Sequence, residues 1–587
     1  MSSAMHATQW NRTRGALGVC CAALLAASVV PSASGEPSGF TKRTLHFAVV
    51  IGPERDVDCD IVGDLYLPSD AGPQHRVPAI AATHGFGGSK EDQRDLGEFM
   101  TGRDYAVLAF SSLGFGGSTC RISMDTPAYD GVAVSQLISF LGGADKIAFE
   151  DAEHTRPAPV LDAIQLDAMD HTGRSSAHDP RVGMIGASYG GGVQFATASV
   201  DPRLDTIVPM ITWNDSLYSL APNNADLPVG VDERTPGPSK YLLAQDLLTN
   251  AAKDPDKAPP PASWSDRNCP RFYPAACQVI LHWYITGAPS EADVESVRYG
   301  SVVTYADKIR IPTLLTQGQQ DTVFLLNEAG ATYQALAADG TEVKMLWHRW
   351  GHDSSNVVPG ELQWAHPDWE QRYQVDATLR WFDHHLKGTG EEDLAAFSYF
   401  RDWIPEGSAT SPWATSDRYP VAATASYCLS GDEALVPDKT AAATSVPPGA
   451  APPGKAQSKT AQLRTGPGDE SLAWSTEPLA APLTVVGVPT VRIPVSADST
   501  ATVFLHLADV DPSGNEESIY RQVAPAKISG SGIVTFTLPG IVHQFPAGHR
   551  LRLVVTGSSA EFRGDALPVL TEFESGERSV LTLPVVP

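Results

Sequence analysis

The 587 residues contain no Cys-x-x-Cys and no His-Glu-x-x-His, so two common local frameworks for a bound zinc ion are missing. His384 and His385, adjacent on a helical pattern, diverge by about 100° and do not share one ion, and neither a metal nor another cofactor is expected. Basic residues are scarce: 42 Lys and Arg face 68 Asp and Glu, for a formal charge of −26. Such an acidic surface disfavours nucleic acid and anionic membranes as partners. Beyond residue 35, no run approaches the roughly 18 apolar residues that a membrane-spanning helix needs. Cysteine is sparse too, seven in all, of which Cys20 and Cys21 lie near the N-terminus. Cys59, Cys120, Cys269, Cys277 and Cys428 remain, and an odd number leaves at least one unpaired within the chain.

What is present begins with Arg12 and Arg14, an apolar stretch over 16–30, and the small residues Ser32, Ala33, Ser34 and Gly35. This is the layout of a secretory signal peptide, predicting export with cleavage near Gly35. The segment 1–35 carries two arginines and no acid, so its removal takes the formal charge from −26 to −28. In an oxidising compartment Cys269 and Cys277 suit a local disulfide, and Cys59 and Cys120 a long-range one.

From residue 45 to about 67, alternating apolar and polar residues predict two early strands. Nearly continuous apolar runs at 77–85, 105–114, 182–187, 204–212, 311–318 and 343–348 predict strands buried on both faces. Helical patterns such as GVAVSQLISFL (131–141) alternate with them, so a mostly parallel, doubly wound α/β sheet is expected. Residues 142–180 read as irregular. The insertion at about 214–305 has helix-like pieces broken by prolines at 259–261, and predicts a helical cap over the sheet's active edge, where caps govern access. Near Phe397 the texture changes to short alternating segments separated by turn residues, which predicts an antiparallel β-sandwich from 396 to 587 beside a catalytic domain over 36–395. Residues 440–462 are low-complexity Ala/Pro/Ser, read as a mobile loop. The GAAPPGKA inside it (449–456) imitates a phosphate-binding loop, but Ala456 replaces the Ser/Thr that would hold magnesium and no strand–helix context surrounds it.

The chemistry centres on RVGMIGASYGGGVQF (181–195), a strand, a sharp turn and a helix. Gly-x-Ser-x-Gly alone is a weak signal, but a strained strand-to-helix turn lifts a serine hydroxyl above the sheet, and the flanking glycines make room for it. A serine hydroxyl is a poor nucleophile until a base takes its proton, and the base needs an orienting carboxylate. In α/β-hydrolases the chain order is Ser, then Asp or Glu, then His. Asp321 follows the strand that ends at Gly318, and His352 follows the next strand, so Ser188, Asp321 and His352 are the expected nucleophile, carboxylate and base. His348 belongs to the strand rather than the loop, and Asp353 adjoins His352 too closely to orient it. Negative charge on the substrate oxygen needs donors: the backbone N–H of Tyr189, just after the nucleophile, and that of Phe86 in the loop His84-Gly85-Phe86-Gly87-Gly88.

These residues resemble the X-Pro dipeptidyl-peptidase and cocaine-esterase-like group of α/β-hydrolases. The resemblance rests on GASYGG (186–191), IPTLLTQGQQD (311–321), WGHD (350–353), RWFDHHLKG (380–388), WSTEPL (474–479), LADVDPSG (507–514) and PAGHRLRL (546–553). It implies a serine hydrolase with a helical cap and a C-terminal jelly roll, and it gives Ser188, Asp321 and His352 the same three roles. Two departures stand out: HGFGGSK occupies the place where several esterase relatives carry an oxyanion-binding tyrosine, and Ser111-Ser112-Leu113-Gly114 stands where Asp-x-Arg-Gly is common. The first favours a backbone donor from Phe86. The expected activity is cleavage of an amide or ester through an acyl-enzyme, first as an X-Pro dipeptidyl-peptidase, with a carboxylesterase or acylase as the alternative. A peptidase of that kind needs a cap carboxylate for the substrate's α-ammonium, with Asp215, Asp226, Asp232 and Glu233 as candidates. A third reading, from another class, is a non-catalytic wall- or peptide-binding protein.

Overall fold

The computed structural model describes residues 39–586 apart from 228–229, 233, 254–266, 288, 353–360, 363, 365–371, 391–392, 422 and 439–454. The expected signal peptide, the prolines at 259–261, Glu233 and Asp353 lie outside the described residues. Among those described, no helix is long and apolar enough to cross a membrane.

The first sheet runs β1 (Phe40–Ile51), β2 (Val57–Pro68), β3 (Ala79–Thr83), β4 (Ala106–Phe110), β5 (Ala148–Phe149), β6 (Val182–Ala187), β7 (Thr206–Met210), β8 (Thr313–Gly318), β9 (Val343–His348), β10 (Phe397–Phe400) and β11 (Trp413–Ser416) in chain order. In space the order is β11-β10-β9-β8-β7-β6-β3-β4-β2-β1-β5. The centre, β4 through β10, is parallel, while β2–β4, β1–β2, β1–β5 and β10–β11 pair antiparallel, so the sheet is mixed at its edges. The continuous apolar runs became the central strands: every residue of β3, β4, β7 and β8 is buried. β1 instead alternates buried and half-buried positions from Leu45 onward, as an antiparallel strand with one wetter face should.

Helices α1 (Arg94–Thr101), α2 (Val132–Leu141), α3 (Tyr189–Ala198), α4 (Ser216–Leu220), α5 (Tyr241–Ala251), α6 (Pro274–Thr286), α7 (Glu291–Arg298), α8 (Leu326–Ala338) and α9 (Tyr373–Phe382) connect or cover these strands. The chain leaves β3 toward β4 on one side and returns as β6 on the other, so the strand order reverses at β3. The carboxyl ends of β3 and β6 therefore flank the crevice where ligands of open α/β sheets bind. That reversal brings the loop after β3 beside the turn after β6. α4 to α7 form the insertion between β7 and β8.

The change of texture near Phe397 precedes the change of sheet. β10 pairs parallel with β9, and Phe397 packs its ring edge-on against Trp347 at 4.8 Å, so both β10 and β11 extend the first sheet. The first strand of the antiparallel C-terminal sandwich is Ala423–Leu429. Short alternating segments look the same whether they close one sheet or open another. Of the stretch 440–462, residues up to 454 lie outside the described ones, and its end enters the strand Lys459–Arg464, paired with Leu570–Ser575 rather than looping free. The sandwich has its own core, built on Val491, Val503, Leu505, Phe536, Leu553, Phe573 and Leu581 among others.

Candidate active site

Ser188 stands between β6 and α3 with φ 57° and ψ −118°, a backbone conformation that non-glycine residues rarely adopt. Its N–H donates to Met210 O at 2.8 Å, and Gly191 N–H donates back to Ser188 O at 2.8 Å, so the turn is fixed from both sides. The motif glycines answer to crowding. A β-carbon on Gly190 would lie 2.6 Å from Thr83 O, and one on Gly186 would lie 2.7 Å from both Thr83 O and Gly190 O. The end of β3 can approach the turn only because both side chains are absent.

Asp321 is fully buried in the loop after β8. Its Oδ1 accepts the N–H groups of Val323 and Phe324, each at 2.9 Å, and its Oδ2 lies 2.7 Å from His352 Nδ1. His352 Nε2 in turn lies 2.8 Å from Ser188 Oγ. With Nδ1 donating to Asp321, Nε2 is left to accept from the serine hydroxyl. The edge of the Phe324 ring meets His352 at 5.2 Å and covers one side of it. The structure thus brings together the three residues singled out from the sequence. His348, the nearest competitor, is wholly buried within β9 and stacks on Trp350 at 4.3 Å, and burial pushes its pKa down to about 3.

The loop after β3 abuts the serine: a β-carbon on Gly85 would lie 3.6 Å from Ser188 Cβ. Gly88 N–H closes onto Gly85 O at 3.0 Å, a tight turn with Phe86 at its second position. The Phe86 ring packs against Phe115, Tyr189 and Phe272 at 5.2 to 6.0 Å. Tyr189 is the first residue of α3, so its N–H belongs to the helix terminus and has no intrahelical acceptor. One contributor escaped the sequence reading. His84 Nε2 accepts Ser112 N–H at 3.1 Å, tying the loop after β3 to the loop after β4, and burial lowers the pKa of its imidazole. No local motif announces a contact 28 residues apart.

The insertion between β7 and β8 is anchored by charge. Buried Arg298 pairs with both Asp215 and Asp232, and Asp215 also caps α4 by accepting Leu217 N–H at 3.0 Å. Asp226 Oδ1 accepts Thr535 N–H from the sandwich at 2.8 Å. Glu328, at the start of α8, accepts Asn214 and Asp215 N–H at 2.8 and 3.0 Å and is bonded to the Ser219 hydroxyl. Between the insertion and the body lies a cavity of about 470 Å³, lined largely by apolar side chains including Met124, Leu220, Leu247, Ile280 and Trp283. Two disulfides, Cys59–Cys120 and Cys269–Cys277, join the cysteines in the pairs expected, and Cys428 is free and buried.

Comparison with known proteins matches two segments of the chain. Residues 59–354 match the model of the X-Pro dipeptidyl-peptidase (S15 family), and residues 402–571 that of the X-Pro dipeptidyl-peptidase C-terminal non-catalytic domain. A candidate serine esterase of Mycobacterium bovis is 27% identical over 258 residues, covering 36% of this chain. A candidate Xaa-Pro dipeptidyl-peptidase of Streptomyces avermitilis is 26% identical over 213 residues, 35% of this chain. The chain spans 40% of the length of the first of these relatives and 25% of the second. Among solved structures, a CocE/NonD family hydrolase from Staphylococcus aureus shares the fold with TM-score 0.61 at 14% identity, over 92% of this chain and 94% of that one. An aminopeptidase from a marine-sediment Thaumarchaeota archaeon does so with TM-score 0.59 at 13% identity, over 96% and 99%. The matched S15 segment contains the turn at Ser188 and the loops carrying Asp321 and His352, and it accounts for half of the residues: the chain belongs to the X-Pro dipeptidyl-peptidase (S15) family.

Proposed function

We propose that this enzyme hydrolyses carboxylic esters through an acyl-enzyme on Ser188. His352 Nε2 takes the hydroxyl proton as Ser188 Oγ bonds to the carbonyl carbon. The tetrahedral oxyanion is met by the N–H groups of Tyr189 and Phe86. The imidazolium then gives its proton to the leaving alkoxide as the scissile bond breaks. In the second half a water molecule, deprotonated by the same Nε2, attacks the acyl carbon, and Ser188 leaves with the proton returned to it. Asp321 holds the ring and stabilises its charged form. The observation that carries this reading is the continuous pair of contacts, 2.7 Å from Asp321 to His352 and 2.8 Å from His352 to a serine in a strained turn.

An ester is favoured over an Xaa-Pro dipeptide because two of the cap acids named from the sequence, Asp215 and Asp232, are already paired with Arg298. Recognising an α-ammonium takes a carboxylate free to meet it. Neither Asp215 nor Asp232 is free to do so, and Oδ1 of the exposed Asp226 already accepts one N–H from the sandwich. Export belongs to the same proposal, supported by the signal-like segment and by two disulfides, which persist in oxidising compartments.

The test compares 4-nitrophenyl acyl esters with Xaa-Pro anilides and labels the protein with a fluorophosphonate. Ester turnover should dominate, and Ser188→Ala should remove labelling and lower kcat by on the order of 10⁴ or more. Dominant Xaa-Pro cleavage would reverse the substrate assignment, and unchanged labelling of Ser188→Ala would remove the nucleophile.

A further inference from the structure

The loop carrying Asp321 is held from behind by the C-terminal sandwich. Gln522, buried and just ahead of the strand Ala524–Thr537, sends one side-chain amide N–H to Gln319 O at 3.0 Å and the other to Asp321 O at 2.9 Å. The two carbonyls flank Gln320, so a single side chain pins both ends of the turn that presents the carboxylate. Reversing the amide would set its oxygen against two carbonyl oxygens, so the donors fix its orientation.

Gln319 completes the clamp. Its own amide donates to Trp347 O at 3.1 Å and Phe400 O at 2.8 Å, and its Oε1 lies 3.0 Å from the Tyr520 hydroxyl. The Tyr520 hydroxyl also lies 2.5 Å from Val542 O, so its one proton is shared between the two acceptors. The sandwich reaches inward through a kinked strap: Tyr520 and Arg521 both carry positive φ, 53° and 57°, a conformation that ordinary residues hold only where surrounding contacts impose it. Asp321 meets His352 through its side chain, and that side chain is aimed by the backbone that Gln522 grips.

We propose that Gln522 is a positioning residue for the reaction: the sandwich, through Gln522, sets the place of Asp321 and thereby the orientation of His352. The inference rests on the role given to Asp321 above. A residue that acts through another should lose its effect once that other is gone, so the test is a double-mutant cycle on the full chain. Gln522→Ala and Gln522→Met are compared, the second keeping most of the side-chain volume without the donors. Thermal melts establish that each variant is folded, and Gln522→Met decides if Gln522→Ala is not. For a 4-nitrophenyl ester, kcat is expected to fall about tenfold or more with KM within about twofold. Gln522→Met should slow fluorophosphonate labelling of the parent by a similar factor and cost nothing further in the labelling rate of an Asp321→Ala background. An unchanged kcat, or the same fold-loss in both backgrounds, overturns the proposal. If Asp321→Ala by itself keeps full activity, the role of Asp321 fails and this inference with it, a result distinct from a silent Gln522.

Discussion

Gly351 lies so close to Asp321 that a β-carbon on it would fall 2.7 Å from Asp321 Cβ and 2.8 Å from Asp321 Cα. The residue before His352 thus rests directly on Asp321, the carboxylate proposed to orient that histidine. Gly318, at the end of β8, is crowded in the same way, its missing side chain facing Trp350 O at 2.0 Å.

Gly351→Ala should therefore act on catalysis. Backbone atoms cannot swing aside, so the methyl group forces the two loops apart, and a displacement approaching 1 Å in a catalytic constellation can cost on the order of 10² in rate. The expectation is a kcat reduced roughly 10- to 100-fold, with overpacking costing about 1–3 kcal/mol of stability. Steady-state ester kinetics beside a thermal melt check it. A variant of normal kcat would show that the loops yield without disturbing the pair.

Glu328 ties α8 to the insertion, and burial raises its pKa from an ordinary 4.5 to about 7. The folded state then binds more protons than the unfolded one between these two values. Its stabilising contribution is complete below pH 4.5 and is lost as pH rises through 7, by up to about 3 kcal/mol. Glu328→Gln imitates the protonated acid, its oxygen accepting Asn214 and Asp215 N–H and its amide donating to Ser219 Oγ. Melting temperatures of both proteins from pH 5 to 8 should diverge, the wild type falling behind as pH rises. A constant gap would contradict the assignment.

Cys59–Cys120 ties β2 to the loop after β4 and closes a loop of 61 residues. Constraining that loop in the unfolded chain is worth about 4 kcal/mol in the chain-entropy account. Replacing both cysteines by alanine should lower the denaturant midpoint accordingly and leave ester KM nearly unchanged, since neither sulfur touches the Ser188–His352–Asp321 array. A midpoint equal to that of the parent would show that the bridge contributes nothing.

Much of this was legible along the chain because it was written locally. The buried strands announced themselves as unbroken apolar runs, and the nucleophile candidate by two glycines and a serine between a strand and a helix. The order Ser, Asp, His placed the other two at strand ends before any geometry was known. The edge of the first sheet was not legible. FSYF and WATS carry the same alternation as the sandwich strands, and only the pairing of Phe397 with Met345 assigns them to the hydrolase sheet. The fate of the cap acids was equally hidden, because Arg298 lies 83 residues from Asp215 and 66 from Asp232.

By itself the sequence determined the α/β series, the sandwich that follows it and the residue types of the candidate site, since each depends on periodicity, spacing or composition within a short window. Tertiary structure alone decided the 2.7 and 2.8 Å contacts, the commitment of Asp215 and Asp232 to Arg298, and the grip of Gln522 on the Asp321 loop. The physical reason is common to all three. Hydrogen bonds and ion pairs between residues tens to hundreds of positions apart depend on how sheets and loops pack, and the same polar side chains read locally as solvated surface.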